Sequence, residues 1–181
     1  MNLDLNIDNS HIEESFDRIA RDILNNSILL ANDSKFILTE IEFYYFFKGK
    51  HEDNYTHTHN RNAGEWRFHN QGIDITFQSS EESDGGILIR GLRIDNEFIN
   101  GPRKIISKIF EHFNKATDEN KLQLIASKSR DDEIIKTYRH LPNKTTYPAY
   151  HNMFYRYLTN LDKLDIALSE KDKIRSNHLV L

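Results

Sequence analysis

The chain has no cysteine. A disulfide framework, a thiolate metal site and a thiol nucleophile are therefore excluded. Proline occurs only 3 times and glycine 7 times in 181 residues, so collagen-like and low-complexity organisation are excluded as well. No apolar run approaches the length of a membrane span. The opening MNLDLNIDNS lacks a basic stretch followed by an apolar one, so no secretory signal is expected and a cytoplasmic location is. What remains is a chain with 38% hydrophobic and 29% charged residues, long enough to bury a core and expected to form a single domain over residues 1–181.

Charge of one sign is also scarce in places. Residues 1–100 carry 9 Lys and Arg against 18 Asp and Glu, a net of −9. Residues 101–150 carry 10 against 6, a net of +4, and residues 151–181 carry 5 against 4, a net of +1. An acidic front half argues against a general nucleic-acid coat, which needs phosphate-neutralising charge. The basic middle segment reads either as one face of a groove or as solvated surface.

In chain order, Ser10 with Glu13 three residues on reads as a capping box. Ile12, Phe16, Ile19, Ala20 and Ile23 keep helical spacing, which predicts a helix over 11–25. A strand at 27–31, a turn at 32–34 and a long aromatic and β-branched strand over 36–47 follow. Residues 48–65 read as a polar loop, 64–69 as a short strand, 73–78 as an alternating half-buried strand and 86–94 as another. Gly101-Pro102 opens a helix over 102–115. Beyond it, 119–127 is a short element, Arg130–His140 looks helical, Tyr150–Leu158 suits helix or strand, Asn160–Lys173 reads as a terminal helix and the last residues as frayed. Leu141-Pro142-Asn143-Lys144 reads as a break. Strands first and helices later predict an α+β fold with a curved, mainly antiparallel sheet flanked by helices.

The chemistry-bearing residues lie among those strands. On the strand at 37–47, Glu40, Glu42 and Tyr44 share one face and Ile41, Phe43 and Tyr45 the other. This is either a solvated strand face or a general base beside an aromatic platform. The loop after it holds His51, Asp53, His57 and His59, a set that could coordinate a metal but matches no established spacing. His69 and Asp74 add polar groups near the middle strands. Arg90 is the one cation inside GGILIRGL, placed either to pair with a buried carboxylate or to bind substrate.

The order of these segments resembles the alkyladenine (3-methyladenine) DNA glycosylases. RIARDIL at 18–24 resembles that family's opening helix and ILTEIEFYYF at 37–46 its E-x-E strand. GEWRFHNQG at 64–72, GGILIRGLRI at 85–94 and NGPRKI at 100–105 follow in the family's order, over about residues 15–110. The resemblance implies a glycosylase-like fold and a monofunctional base-excision hydrolase of an N-glycosidic bond in a modified purine or related nucleoside. It implies Glu42 as the general base that positions water, Tyr44 stacking on a flipped base, Phe68 opposite it, a loop histidine for which His57 is favoured, and the strand arginine Arg90. Gln71 and Gln78 fall at further family positions, and together with His69 and Asp74 they are expected to bind substrate. Gln71 stands where the family has an intercalating tyrosine, and Gln78 where its second strand has an asparagine. No cofactor or metal is implied. The partner is expected to be DNA carrying a modified base or a nucleoside-like small molecule, with no membrane. Two alternatives stay open: a non-catalytic nucleotide- or protein-binding relative of that fold, and a metal-dependent hydrolase using the loop His51–His59.

Overall fold

The computed structural model describes residues 3–141 and 147–181. The chain runs α1 (Ile12–Asn26), β1 (Ser27–Ala31), β2 (Ser34–Phe47), β3 (His51–Glu52), β4 (Trp66–His69), β5 (Gly72–Thr76), β6 (Ser83–Ile94), β7 (Glu97–Asn100) and α2 (Pro102–Phe110). It continues through β8 (Leu122–Ala126), β9 (Ile134–Thr137), α3 (Pro148–His151), β10 (Arg156–Thr159), a 3-10 turn at Leu161–Lys163, α4 (Leu168–Ser176) and β11 (His178–Val180). The fold is α+β, and all ten strand pairings among the described residues are antiparallel.

β2 is the axis of the sheet. One of its edges is paired along almost its whole length by β6. The other edge is shared by β1 at its start, β10 at Glu40–Glu42 and β3 at its end. The main path reads β11-β9-β10-β2-β6-β5-β4.

The register of β2 on β6 contains two offsetting irregularities. Leu38 faces Leu92 and Ile41 faces Ile89, but between them Glu40 faces Gly91, so Thr39 is extra on β2 and Arg90 is extra on β6. A bulge of this kind turns two consecutive side chains to the same side. Phe36 and Leu38 before the bulge, and Ile41, Phe43 and Tyr45 after it, therefore all enter the core. Thr39 with Glu40, and Arg90 with Gly91, go to the opposite face. Gly91 is required there: a Cβ would lie 2.6 Å from Thr39 Oγ1 and 2.7 Å from Glu40 Cβ.

α1 covers the core face. Phe16, Ile19, Ala20 and Ile23 are fully buried, and Phe16 stacks on Phe43 at 4.5 Å between centroids. Such burial is worth about 1.5–3 kcal/mol per large apolar side chain. α2 contributes Ile105 and Ile109 to the same core and packs on β5, β6 and β7. A smaller cluster of Ile135, Leu158, Leu161, Leu164 and Ile174 holds the C-terminal part to β9 and β10.

Several expectations are corrected. The N-cap of α1 is His11 and no side chain caps it, while the Ser15 hydroxyl donates to His11 O at 3.0 Å. Arg130–His140 is not helical: Ile134–Thr137 is a strand between β10 and β11, with all four residues buried. Its charged neighbours imitate a helix surface, but Lys136 is buried and reaches Asp17 at 2.8 Å. α2 stops at Phe110, short of 115. Asn160–Lys173 is a 3-10 turn and then α4, which runs on to Ser176. Tyr150–Leu158 contains the end of α3 and the start of β10. The last residues are not frayed, since β11 pairs with β9. Most of the expected break at 141–144 lies outside the described residues.

Candidate functional site

On the face opposite α1, five strands bring one residue each into a transverse row. Arg156 of β10 stands opposite Glu42 of β2, Glu42 opposite Leu88 of β6, Leu88 opposite Asp74 of β5, and Asp74 opposite Arg67 of β4. Directly opposed residues share a face. The row therefore reads cation, carboxylate, leucine, carboxylate, cation. Above it lies a cavity of about 190 Å³ whose walls include Tyr44, His57, Arg67, His69, Asp74 and Arg90, with Leu88 and Gly86 as floor. Tyr55, Thr56, Gln71, Pro102, His140 and Leu141 complete the lining. The volume is below the roughly 300–1,000 Å³ of drug-sized ligand sites, so the space suits a single heterocycle and not a long substrate.

Glu42 has no exposure to solvent. One carboxylate oxygen accepts the Tyr44 hydroxyl at 2.8 Å, and the other accepts the backbone N–H of His140 at 2.6 Å and lies 3.4 Å from Arg90 Nε. Tyr44, Arg90 and His140 line the cavity, so Glu42 sits directly behind its wall. Burial and the neighbouring Glu42 charge push the Tyr44 phenol well above its ordinary range, which keeps it a hydrogen-bond donor at neutral pH.

A second carboxylate backs the first. Glu40 receives Arg90 Nε at 2.8 Å and Asn100 Nδ2 at 2.9 Å, and Arg156 Nε lies 2.9 Å away. Burial alone would raise the Glu40 carboxyl; Arg156 and Arg90 outweigh it and hold the group below its ordinary value. Burial likewise pulls Arg90 down, and Glu42 and Glu40 outweigh it, so Arg90 stays cationic. Arg156 also binds Glu170 of α4 at 2.9 Å.

Arg139, two residues past β9, fixes the loop over the site. It binds Asp53 with both terminal nitrogens and donates to the backbone oxygens of Phe43 and Tyr150. Its guanidinium lies over the rings of Tyr44, Tyr55 and Tyr155, at 4.7, 5.4 and 5.3 Å. The next residue is His140, whose backbone N–H is one of the donors to Glu42. Arg139 therefore holds together the loop at Asp53–Tyr55, the platform Tyr44 and the donor on Glu42.

The far wall is a second charged group. Arg67 Nη1 donates to Asp74 Oδ2 at 2.9 Å, and His69 Nε2 lies 3.0 Å from Asp74 Oδ1. The Gln71 backbone N–H donates to His69 Nδ1 at 3.3 Å, which places the ring proton on Nε2.

Of the residues expected from sequence, Tyr44, His57, His69, Gln71, Asp74 and Arg90 line one cavity and Glu42 stands behind it. Phe68 does not: β4 alternates, so Arg67 and His69 face the cavity while Phe68 is exposed and stacks on Phe110 at 6.1 Å. Gln78 lies apart, bonded to Ser79 O. The loop His51–His59 is dispersed. His51 is in the core, donating from Nδ1 to Tyr45 O and accepting the Tyr155 hydroxyl, and burial holds its pKa below the ordinary value. Asp53 is taken by Arg139, and His59 Nε2 donates to Gly85 O. Among the described residues, no three His, Asp or Glu side chains are placed to share a metal ion. Sequence reasoning missed Arg139, Arg156 and Arg67. Only Arg67 carried a signal, being two residues before His69 and hence on its face.

No protein-family model matches the chain, and no curated protein is detectably similar to it in sequence.

Proposed function

We propose that this protein hydrolyses an N-glycosidic bond in the manner of the alkyladenine DNA glycosylases, with a fold of that type, acting on a modified base in DNA or on a related nucleoside. One observation carries the reading: Glu42, Tyr44 and Arg90, drawn from two strands, meet at the wall of a cavity sized for one heterocycle.

In this reading a water held between the Tyr44 hydroxyl and Arg90 gives a proton to the Tyr44 oxygen, which passes its own proton to Glu42, as the water oxygen bonds to the sugar carbon. The bond from that carbon to the base nitrogen breaks, and its electron pair leaves with the base, which takes up a proton. Arg90 stabilises the carboxylate before the transfer. Ion pairing and hydrogen bonding keep Glu42 fixed. The acidic front half and the absence of an aromatic at position 71 favour a substrate already extruded or single-stranded over one forced out of a duplex, because an aromatic wedge is what fills a gap in the stack.

The deciding experiment incubates the full chain with alkylated, deaminated and undamaged oligonucleotides, double- and single-stranded, and assays abasic sites. Release from at least one damaged strand supports the reading. No release from any strand, nor from the free nucleosides of the same bases, sinks it in favour of a nucleotide-binding relative, for which the same cavity serves.

A further inference from the structure

Resting on the hydrolase reading above, we propose that single-stranded nucleic acid leaving the cavity is held on a surface outside it, with a phosphate at Arg103 and a neighbouring base on the exposed ring pair Phe68–Phe110.

The two rings come from different elements. Phe68 belongs to β4, the edge strand of the sheet, and Phe110 ends α2. They are 49% and 48% exposed, yet their planes lie within 15° of parallel at 6.1 Å between centroids. Phe113 meets Phe110 edge-on at 5.1 Å and is itself packed against the main core. The pair is therefore a supported flat surface. Single exposed apolar side chains need no explanation, but adjoining ones that form a patch do.

A path joins this surface to the cavity. Gln71 and Pro102 line the cavity. Their chain neighbours, Asn70 and Arg103, are joined by a hydrogen bond from Arg103 Nε to Asn70 O at 3.2 Å. Arg103, Ser107 and Phe110 are all exposed and keep the spacing of one helix face. At a rise of about 1.5 Å per residue, Phe110 lies about 10 Å beyond Arg103 along α2, roughly three nucleotide steps of 3.4 Å. Phe68 faces away from the cavity, so the nucleic acid reaches it by turning over Asn70.

Charge and area decide the occupant. α2, PRKIISKIF, carries three cations and no acid. Lys104 is paired with Asp165, and Lys108 with Glu97 and Glu111. Among the described residues no carboxylate is paired with Arg103, and its hydrogen bond to Asn70 leaves both terminal nitrogens without a partner. A guanidinium fork with free donors matches a phosphate. Any base can stack on an aromatic ring, whatever its edge, so this surface is indifferent to which base the cavity takes. A second copy of the chain fits less well. Two half-exposed rings offer on the order of 200 Å², against roughly 800 Å² per partner in a standard protein interface.

The test is fluorescence anisotropy of the full chain with a labelled thymidine oligonucleotide over a range of salt. Phe68→Ala and Phe110→Ala should each weaken binding about five- to hundredfold with an unchanged salt slope, and Phe110→Trp should restore it. Arg103→Gln should weaken binding and lower the slope of log affinity against log salt by about 0.7. All three positions are exposed, and unchanged melting of each variant separates these losses from misfolding. In parallel, Phe110→Ala should slow base release from a damaged single strand while leaving release from the free nucleoside unchanged. If the parent binds no oligonucleotide, or the alanine variants bind it as tightly as the parent, the surface proposal falls, and the hydrolase reading is judged on release alone. If nothing is released but the alanine variants still bind more weakly, the hydrolase reading falls and the surface holds as a nucleic-acid site. Self-association of the parent that Phe110→Ala abolishes, without oligonucleotide binding, assigns the rings to a second copy and overturns the proposal.

Discussion

Arg139 and Asp53 form an ion pair through two contacts, and neither side chain keeps any exposure to solvent. They lie 86 residues apart in sequence, so the pair ties the loop after β3 to the segment after β9. Removing one partner strands the other charge in the interior. Asp53→Asn or Arg139→Leu should therefore destabilise by about 3–5 kcal/mol, read as the urea midpoint at constant slope. Arg139→Lys should recover only part, since an ammonium cannot keep both contacts and the three ring faces. A loss under about 1 kcal/mol in Asp53→Asn would show that water reaches the pair.

Glu42→Gln keeps the shape of the side chain but cannot take up the proton that Tyr44 passes on. Base release should fall at least about a hundredfold, with binding of the strand largely kept. The amide oxygen can still accept from His140, and the amide NH2 can donate to the Tyr44 hydroxyl oxygen once that hydroxyl turns, so melting should change less than activity. Equal losses in binding and release would point to a purely structural Glu42.

Gly91→Ala tests the bulge. Its methyl would press on Thr39, Glu40 and Asn100 at under 3 Å, and the expected cost is about 1–3 kcal/mol in urea unfolding. Because Glu40 is what Arg90 binds, release should fall as well. A variant as stable as the parent would mean that β2 and β6 separate easily.

Acid stability has a defined sign at Glu170. The His140 imidazole first, then Arg156, hold this carboxyl at about 2, below the ordinary 4.5, against the opposing effect of burial. Between those values the unfolded chain binds the proton and the folded one does not, so stability rises with pH. The contribution is complete above about pH 4.5 and is lost on acidification towards about pH 2. Urea midpoints measured from about pH 6 to about pH 3 should fall less steeply in Glu170→Gln than in the parent. Parallel profiles would remove Glu170 from the account.

The sequence made the face of β2 legible because period two is unambiguous in a long strand: Glu42 and Tyr44 fall together whatever pairs beside them. Arg90 was legible as a lone cation in an apolar run. Phe68 was placed on the wrong side because matching a motif by order does not fix strand parity, and parity puts His69 and Arg67 on the cavity. Arg139 and Arg156 gave no local sign. Their roles depend on β10 lying beside β2, with β9 on its far side; the pairing of Arg156 with Glu42 joins distant parts of the chain and leaves no periodic trace. Arg130–His140 misread as helix for a related reason, since β9 is four residues long and too short to alternate visibly.

The paired irregularities at Thr39 and Arg90 act like two compensating shifts of a reading frame. Each strand gains one residue, and because both gain it at the same level, the pleat returns to phase on either side. Deleting Thr39 alone would leave Arg90 extra on β6 with nothing extra opposite it, while Leu38 and Ile41 stay inward and Glu40 and Glu42 outward. Deleting Thr39 and Arg90 together would restore the phase but remove the guanidinium on which both carboxylates depend. Length change in these two strands is therefore coupled: the register of Leu38 on Leu92 and of Ile41 on Ile89 is kept together only with both extra residues or with neither.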